Sequence, residues 1–371
     1  MGFASFLLAK PHCASQTLRR HMTSDAERER TTQRSVGVRD VAALASVSLG
    51  TVSNVMNNPD RVGPEIRARV EAAMTELGFV PSRAAGQLRS RRSELVGVVV
   101  PDVGNPYWAS VLRGIESVIE QHGLALVVGS THQERTRQRR LLKGLESQGV
   151  DGLILAPITA DSADWEPFVS RRFGVVALER SGAGPSVPSV GLDNVEGGRL
   201  AVTHLLEQGH RRIAFINGPG TVPWCAERRE GVISGLREHG LAIRDALVEV
   251  EVPDLTVAEG FQAVETLLAM EGGQTAIMCA NDMLALGALL ALRQRHIEVP
   301  TGMALVGYDD VEFAAALAPP LTTVRQPSFE MGAAAARLLL EPELQSSGQH
   351  VQFVPELVPR MSSAAGLTVL G

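Results

Sequence analysis

Residues 38 to 57 read Val38-Arg39-Asp40-Val41-Ala42-Ala43-Leu44-Ala45-Ser46-Val47-Ser48-Leu49-Gly50-Thr51-Val52-Ser53-Asn54-Val55-Met56-Asn57. Apolar residues recur at helical spacing from Val38 to Ala45, with Val41, Ala42, Leu44 and Ala45 apolar. Ser46-Val47-Ser48 interrupts the pattern, and Leu49 to Met56 resumes it with Val52 and Val55 on one face. Ala42, Ser46 and Val52 stand at offsets of 0, +4 and +10. A helix-turn-helix needs a small residue where the second helix crosses the first. It also needs a turn residue that tolerates positive φ and an apolar residue that packs back. Val41, Ala45, Val47 and Val55 supply the remaining core, and Ser48 is placed to cap the second helix. The turn position favours glycine, so Ser46 is expected to cost ~1 kcal/mol in local strain. On spacing alone the unit is either a DNA reader or a three-helix packing unit without a DNA role.

Downstream, Asn57-Asn58-Pro59-Asp60 has the composition of a loop. Pro64 opens a third helix carrying Ile66, Val70, Ala73, Met74 and Leu77, and Gly78 ends it. Upstream, residues 1–35 mix Ser, Thr, Gln, Arg and Glu with little periodicity and are expected to be a disordered extension. Two readings stay open there: a start at Met22, or an arm that touches DNA.

The chain has 371 residues, 44 % hydrophobic and 20 % charged, enough for two or three domains with large cores. No apolar run reaches the ~18 residues of a membrane helix. The run Phe3 to Ala9 is short for a signal-peptide core and has no basic residue before it, so a cytoplasmic protein without membrane contact is expected. Cys13, Cys225 and Cys279 are odd in number and far apart, which fits neither a disulfide scaffold nor a zinc cluster. Within the net charge of −6 lies an asymmetry. Residues 1–93 hold 14 Lys+Arg against 8 Asp+Glu, whereas residues 94–371 hold 21 against 33. A basic head on an acidic body is the footprint of a chain whose head meets a polyanion; chance segregation is the alternative.

From Leu95 the pattern alternates. Apolar runs at 95–100, 124–128, 152–155, 174–178, 212–216, 247–252, 275–279 and 303–306 are separated by helical segments such as 106–122, 133–148, 194–208, 225–239, 256–270 and 281–295. Continuous apolar strands alternating with helices point to buried parallel sheets, hence an α/β body. Its length suits two similar lobes with a cleft between them better than one sheet.

The stretch 38–57 resembles the N-terminal signature of the lactose-repressor/galactose-repressor family. The likeness continues at Val80-Pro81-Ser82-Arg83-Ala84-Ala85-Gly86-Gln87-Leu88, Asn105-Pro106-Tyr107-Trp108, Gly209-His210-Arg211-Arg212-Ile213, Ala280-Asn281-Asp282-Met283-Leu284-Ala285, Val306-Gly307-Tyr308-Asp309-Asp310 and Leu321-Thr322-Thr323-Val324-Arg325-Gln326-Pro327. It spans about residues 36–365 in one register. It implies a helix-turn-helix DNA-binding head at 36–81, a hinge helix or linker at 82–94 and a periplasmic-binding-protein-like body at 95–371. The expected lobes are about 95–192 with 325–350, and about 193–324 with 351–371. The implied protein is a homodimeric transcriptional regulator, usually a repressor. Its partners are double-stranded operator DNA and a sugar or nucleoside effector; no cofactor is expected.

Carried onto this chain, the recognition helix is Leu49–Met56. Leu49, Gly50 and Asn54 occupy base-reading positions, Thr51 and Ser53 would anchor phosphates, and Ser48 opens the helix. Asn54 replaces an Arg that many members carry and pairs best with adenine. In the hinge segment the resemblance points to Arg83, Ala85 and Leu88, with Leu88 as a wedge into the minor groove. Arg83, Arg89, Arg91 and Arg92 add phosphate-seeking charge; without the resemblance, 82–92 reads as a solvated basic linker. Tyr107, Trp108, Glu179, Arg228, Asn281, Asp309 and Gln326 are the implied effector positions. Carboxylates accept from vicinal hydroxyls, Arg and Asn donate to oxygens, and an aromatic ring covers an apolar sugar face. Asp282 and Asp310 read instead as residues that cap helices or pin strand ends. Trp224 is a pocket wall or core. His210 is expected at a helix C-terminus, where its charge suits the dipole.

Enzyme readings fare poorly. The chain has no GxxxxGK[ST], complete GxGxxG, GxSxG or HExxH, and its His and Cys residues form no catalytic or metal-binding spacing.

Overall fold

Ser46 takes φ 52°, the left-handed turn conformation that the helix-turn-helix spacing demands. Around it lie α1 (Val38–Leu44) and α2 (Leu49–Asn57), followed by α3 (Pro64–Leu77). These belong to a computed structural model that describes residues 36–79, 93–158, 162–179, 187–270, 272–341 and 348–364. Two compact units make up the chain, divided between residues 90 and 91.

In the head, Val41, Ala42, Ala45, Val52, Val55, Val70 and Ala73 form one buried cluster, joined at its edge by Val47. The Ser48 hydroxyl accepts from the Thr51 N–H at 3.0 Å and so caps α2. Gly78 closes α3 in the left-handed conformation, at φ 58°. Ile66, on the apolar spacing of α3, is nonetheless exposed, because the head is too small to cover the first turn of that helix.

The body continues β1 (Leu95–Val100), α4 (Pro106–Ile119), β2 (Ala125–Ser130), α5 (Arg135–Gln148), β3 (Gly152–Leu155), α6 (Glu166–Val169), β4 (Gly174–Leu178) and β5 (Ser189–Leu192). Next come α7 (Asn194–Glu207), β6 (Ile213–Asn217), α8 (Pro223–Glu238), α9 (Ile243–Ala246), β7 (Leu247–Glu251), α10 (Val257–Ala269), β8 (Ala276–Cys279), α11 (Asp282–Gln294) and β9 (Ala304–Asp309). The described body ends with β10 (Thr322–Arg325), α12 (Ser328–Leu340), β11 (His350–Phe353) and β12 (Glu356–Val358).

Two six-stranded sheets result. The first has the order β11-β5-β4-β3-β1-β2 and is parallel throughout. The second has the order β12-β10-β9-β8-β6-β7, parallel except for the antiparallel β12. Helices cover both faces, as parallel sheets require. The chain therefore passes between lobes three times, after β5, after β10 and after β11. The expected lobe limit at 350/351 falls inside β11, whose residues 350–353 pair with Ser189–Leu192. Likewise Arg325 pairs with Asp309 in the second sheet, so that limit moves to the far side of β10. Both shifts have one cause: β10 and β11 are short strands of mixed polar residues and carry no apolar run to mark them.

Three helix pairs meet at backbone contact through facing glycines. A Cβ on Gly114 or Gly332 would strike the backbone of the opposite helix, and the same holds for Gly198 with Gly231 and for Gly260 with Gly287. These contacts join α4 to α12, α7 to α8, and α10 to α11. Among the described residues, no helix is long and apolar enough to cross a membrane.

Candidate functional site

Strand C-termini in both lobes open onto one cleft, where parallel sheets present their loops to ligands. It is lined by all seven effector positions expected from the sequence. Asn105, Gln133, Trp224 and Asp254 are also in its wall.

From the first lobe, Asn105 caps α4, accepting from the Tyr107 N–H at 2.9 Å. The cap holds Tyr107 and Trp108 at the helix start, their rings edge to face with centroids 4.9 Å apart. Glu179 follows β4 with φ 70°, a conformation that turns its carboxylate out of the strand path. Glu179 is buried, and its pKa is pushed up to about 7 by desolvation, partly offset by Arg228 and reinforced by Glu227.

From the second lobe, Arg228 on α8 is buried with its guanidinium 3.7 Å from the Tyr308 ring centroid. Its Nε donates to Asn194 Oδ1 at 3.0 Å and one Nη donates to the Ala280 carbonyl at 2.5 Å. Gly198 presses directly on the Arg228 backbone, so the glycine contact of α7 with α8 sets where this arginine enters the cleft. Asn281 caps α11, accepting from the Leu284 N–H at 2.8 Å and donating to the Leu255 carbonyl at 3.2 Å. Asp309 is the last residue of β9 rather than a residue beyond it, and its φ is 116°. Gln326, on the second crossing, donates to Asp309 Oδ1 at 2.6 Å. Burial raises the Asp309 pKa above the usual carboxylate range, although Arg228 and Gln326 oppose the shift.

Hydrogen bonds tie the lobes together across the cleft. Asn105 Nδ2 reaches Asp309 Oδ2 at 3.5 Å, Gln133 Nε2 reaches Asp254 Oδ1 at 3.2 Å, and Asn194 Nδ2 reaches Glu179 Oε2 at 3.2 Å. Asn194 is the hub: it also contacts Tyr308 and Glu227. Asn105, Gln133, Asn194 and Asp254 escaped the sequence reading of the site. Each acts through a partner far away in sequence, which no local pattern records.

Asp282, Asp310 and His210 fall outside the cleft. Asp282 is buried and accepts from Thr323 Oγ1 at 2.7 Å and the Val311 N–H at 3.0 Å, pinning β9 to β10. Asp310 pairs with Arg325 and Arg360. Trp224 is both core and pocket wall. His210 sits just past the C-terminus of α7, its N–H donating to the Leu205 carbonyl at 3.1 Å, but the expected charge is disfavoured: desolvation first, then Arg211, lowers its pKa, and Nδ1 bonds Thr275 Oγ1 at 2.8 Å. Desolvation of the half-buried ring and the neighbouring Arg211 charge both work against a cation at that corner.

The head presents a second surface. Ser48, Leu49, Gly50 and Asn54 are exposed on α2, with Thr51 and Ser53 half-buried beside them. Ser53 is engaged by Asn57 Nδ2, which donates to its carbonyl and hydroxyl. Arg83, Ala85 and Leu88 lie outside the described residues.

Comparison with known proteins covers both the head and the body. Residues 38–82 match the family described as bacterial regulatory proteins, lacI family, and residues 202–363 match a periplasmic binding protein-like domain. The HTH-type transcriptional repressor CytR of Escherichia coli is 32% identical over 321 residues, 85% of this chain and 91% of the relative. The ribose operon repressor of Escherichia coli is 34% identical over 344 residues, 88% of this chain and 99% of the relative. A solved lac repressor dimer bound to operator and the anti-inducer ONPF superposes with a TM-score of 0.74 at 30% identity, covering 89% of this chain and 99% of that one. The chain belongs to the lacI family of bacterial regulatory proteins and is a DNA-binding transcriptional regulator, not an enzyme.

Proposed function

We propose that this regulator is a cytoplasmic homodimeric repressor whose affinity for its operator is set by a sugar or nucleoside held between the lobes of the body. The observation that carries the reading is the convergence of Tyr107, Trp108, Glu179, Arg228, Asn281, Asp309 and Gln326 on one cleft. These residues come from both lobes and from a crossing, so a ligand that touches them binds one lobe orientation better than another. Linkage then obliges it to change operator affinity if DNA also prefers one orientation. In the head, Leu49, Gly50 and Asn54 read bases, Thr51 and Ser53 meet phosphates, and Ser48 holds the helix that presents them. Arg83, Ala85 and Leu88 belong to the hinge segment 82–94 and engage the operator centre. The ribose operon repressor and the operator-bound lac repressor dimer support this division of labour by likeness.

The test is operator selection from a random duplex pool with the full chain, followed by binding at two salt concentrations. A pseudo-palindromic site is expected, with affinity falling steeply as salt rises. One sugar or nucleoside should then shift that affinity by roughly 5–150-fold, and the direction of the shift separates inducer from corepressor. A chain with no salt-sensitive DNA affinity overturns the reading.

A further inference from the structure

Two glutamines in the cleft share an unusual predicament. Gln326 is only 4% exposed, and its Nε2 donates to Asp309 Oδ1 at 2.6 Å. An ionised carboxylate only accepts, which fixes the amide with its nitrogen toward Asp309 and its carbonyl turned away. That Oε1 is buried and has no hydrogen-bond partner among the described residues. Gln133 repeats the arrangement: its Nε2 donates to Asp254 Oδ1 at 3.2 Å, and its buried Oε1 is likewise without a partner. Gln133 lies on the loop after β2 in the first lobe, Gln326 lies on a crossing, and both line the same cleft.

A buried amide carbonyl without a donor is a debt of the fold that a ligand hydroxyl can settle. The charges lining the cleft agree. Among the described residues of its lining, Asp102, Glu179, Asp254 and Asp309 face one cation, Arg228. That guanidinium is already committed to Asn194, to the Ala280 carbonyl and to the Tyr308 ring. An incoming anion would meet four acids and an occupied arginine, whereas a polyol would meet acceptors.

We propose that the cleft takes an uncharged, hydroxyl-bearing ligand that donates to the side-chain carbonyls of Gln133 and Gln326, and that it rejects phosphorylated and carboxylated forms of the same compound. The inference rests on the cleft being the effector site. It adds Gln133, held by Asp254, as a specificity residue.

The experiment is titration of the full chain, followed by tryptophan fluorescence, since Trp108 and Trp224 line the cleft, and by calorimetry. The probes are free aldopentoses, aldohexoses, disaccharides and nucleosides, each beside its phosphate, uronic acid or nucleoside monophosphate. The sugar and nucleoside arms separate the two sources of the shared hydroxyl chemistry. One uncharged compound is expected to bind, with its anionic counterpart about 100-fold weaker or worse. Gln133→Met keeps the volume and removes the carbonyl. It should weaken that compound about tenfold without lowering the melting temperature of the ligand-free protein. If Gln133→Met melts early, Gln326→Met carries the same expectation for affinity. A phosphate or carboxylate that binds as tightly as its neutral parent overturns the proposal, as does a panel in which no uncharged compound binds. An unweakened glutamine variant overturns the role given to that carbonyl. An anion that binds and shifts operator affinity sinks the ligand class but leaves the regulator standing. Loss of all DNA binding sinks the regulator and leaves the ligand preference readable.

Discussion

The recognition face of the head and the wall of the cleft are organised in opposite ways. On α2, Leu49 is 48% exposed and its neighbours Gly50 and Asn54 are exposed too, while order is supplied from behind by the Ser48 cap and the Val52–Val55 core face. In the cleft, Glu179, Arg228, Asn281, Asp309 and Gln326 are all buried and held in place: Gln326 holds Asp309, Asn194 holds Glu179 and Arg228, and Asn281 is fixed by backbone groups. A reader of DNA can leave its side chains free, because the duplex supplies their partners. A binder of small molecules has to fix its groups before the ligand arrives, and fixing them in a buried site makes them part of the fold. Substitutions that truncate these five buried groups should therefore cost stability and binding together, substitutions on α2 binding alone.

The strongest attempt to break this contrast is Arg228→Ala. It strips the cation from Glu179, Asp309 and Asn194 and should destabilise the body by ~3–5 kcal/mol, seen as a lower denaturation midpoint for the body. An unchanged midpoint would show that the cleft is as loosely organised as α2.

Next is Glu179, whose pKa rises to about 7 in the folded protein. In the unfolded chain it titrates near 4.5. Between those values the folded state holds the extra proton, so stability falls as pH rises through that window and stays low above it. Glu179→Gln should thus gain up to ~3 kcal/mol over the native chain at pH 8 and nothing at pH 4. Melting curves across pH decide it; parallel curves would refute the assignment.

On the head, Asn54→Ala should relax one base position of the operator by ~1–3 kcal/mol with the unfolding midpoint unmoved. Binding to a set of single-base operator variants reads this directly, and an unchanged base preference would remove Asn54 from the reading positions. The smallest expected effect is Ser46→Gly, which relieves a left-handed serine at φ 52° and should stabilise the head by ~1 kcal/mol. Hydrogen exchange in α1 and α2 measures it.

Legibility in the sequence followed the same divide. The head could be read almost to the residue because its logic is local: cap, turn and the packing of α1 on α2 lie within twenty positions, and α3 follows directly. In the body, the eight apolar runs coincide with β1–β4 and β6–β9 to within a few residues. Strands β5, β10, β11 and β12 went unread. Thr322 and Thr323 in β10 are buried but polar, satisfied by Ser362, Arg360 and Asp282 from elsewhere in the chain. The short stretch Ser189–Leu192 has its edges supplied by β4 and β11, not by its own composition. The seven cleft residues were legible only through resemblance. Their partners Asn105, Gln133, Asn194 and Asp254 were not, since each pairing joins segments from 15 to 204 positions apart.

The glycine contacts carry a mechanical consequence. With α4 fastened to α12, α7 to α8 and α10 to α11 at backbone distance, neither lobe has slack in which to absorb a push from a ligand. The displacement has to leave through the three chain crossings. Three crossings between two rigid lobes behave as the pin of a door: they resist shear and permit swing. On the proposed function, a ligand held in the cleft would be read out as an angle between two stiff plates, the kind of output that can be transmitted over a distance without being diluted along the way.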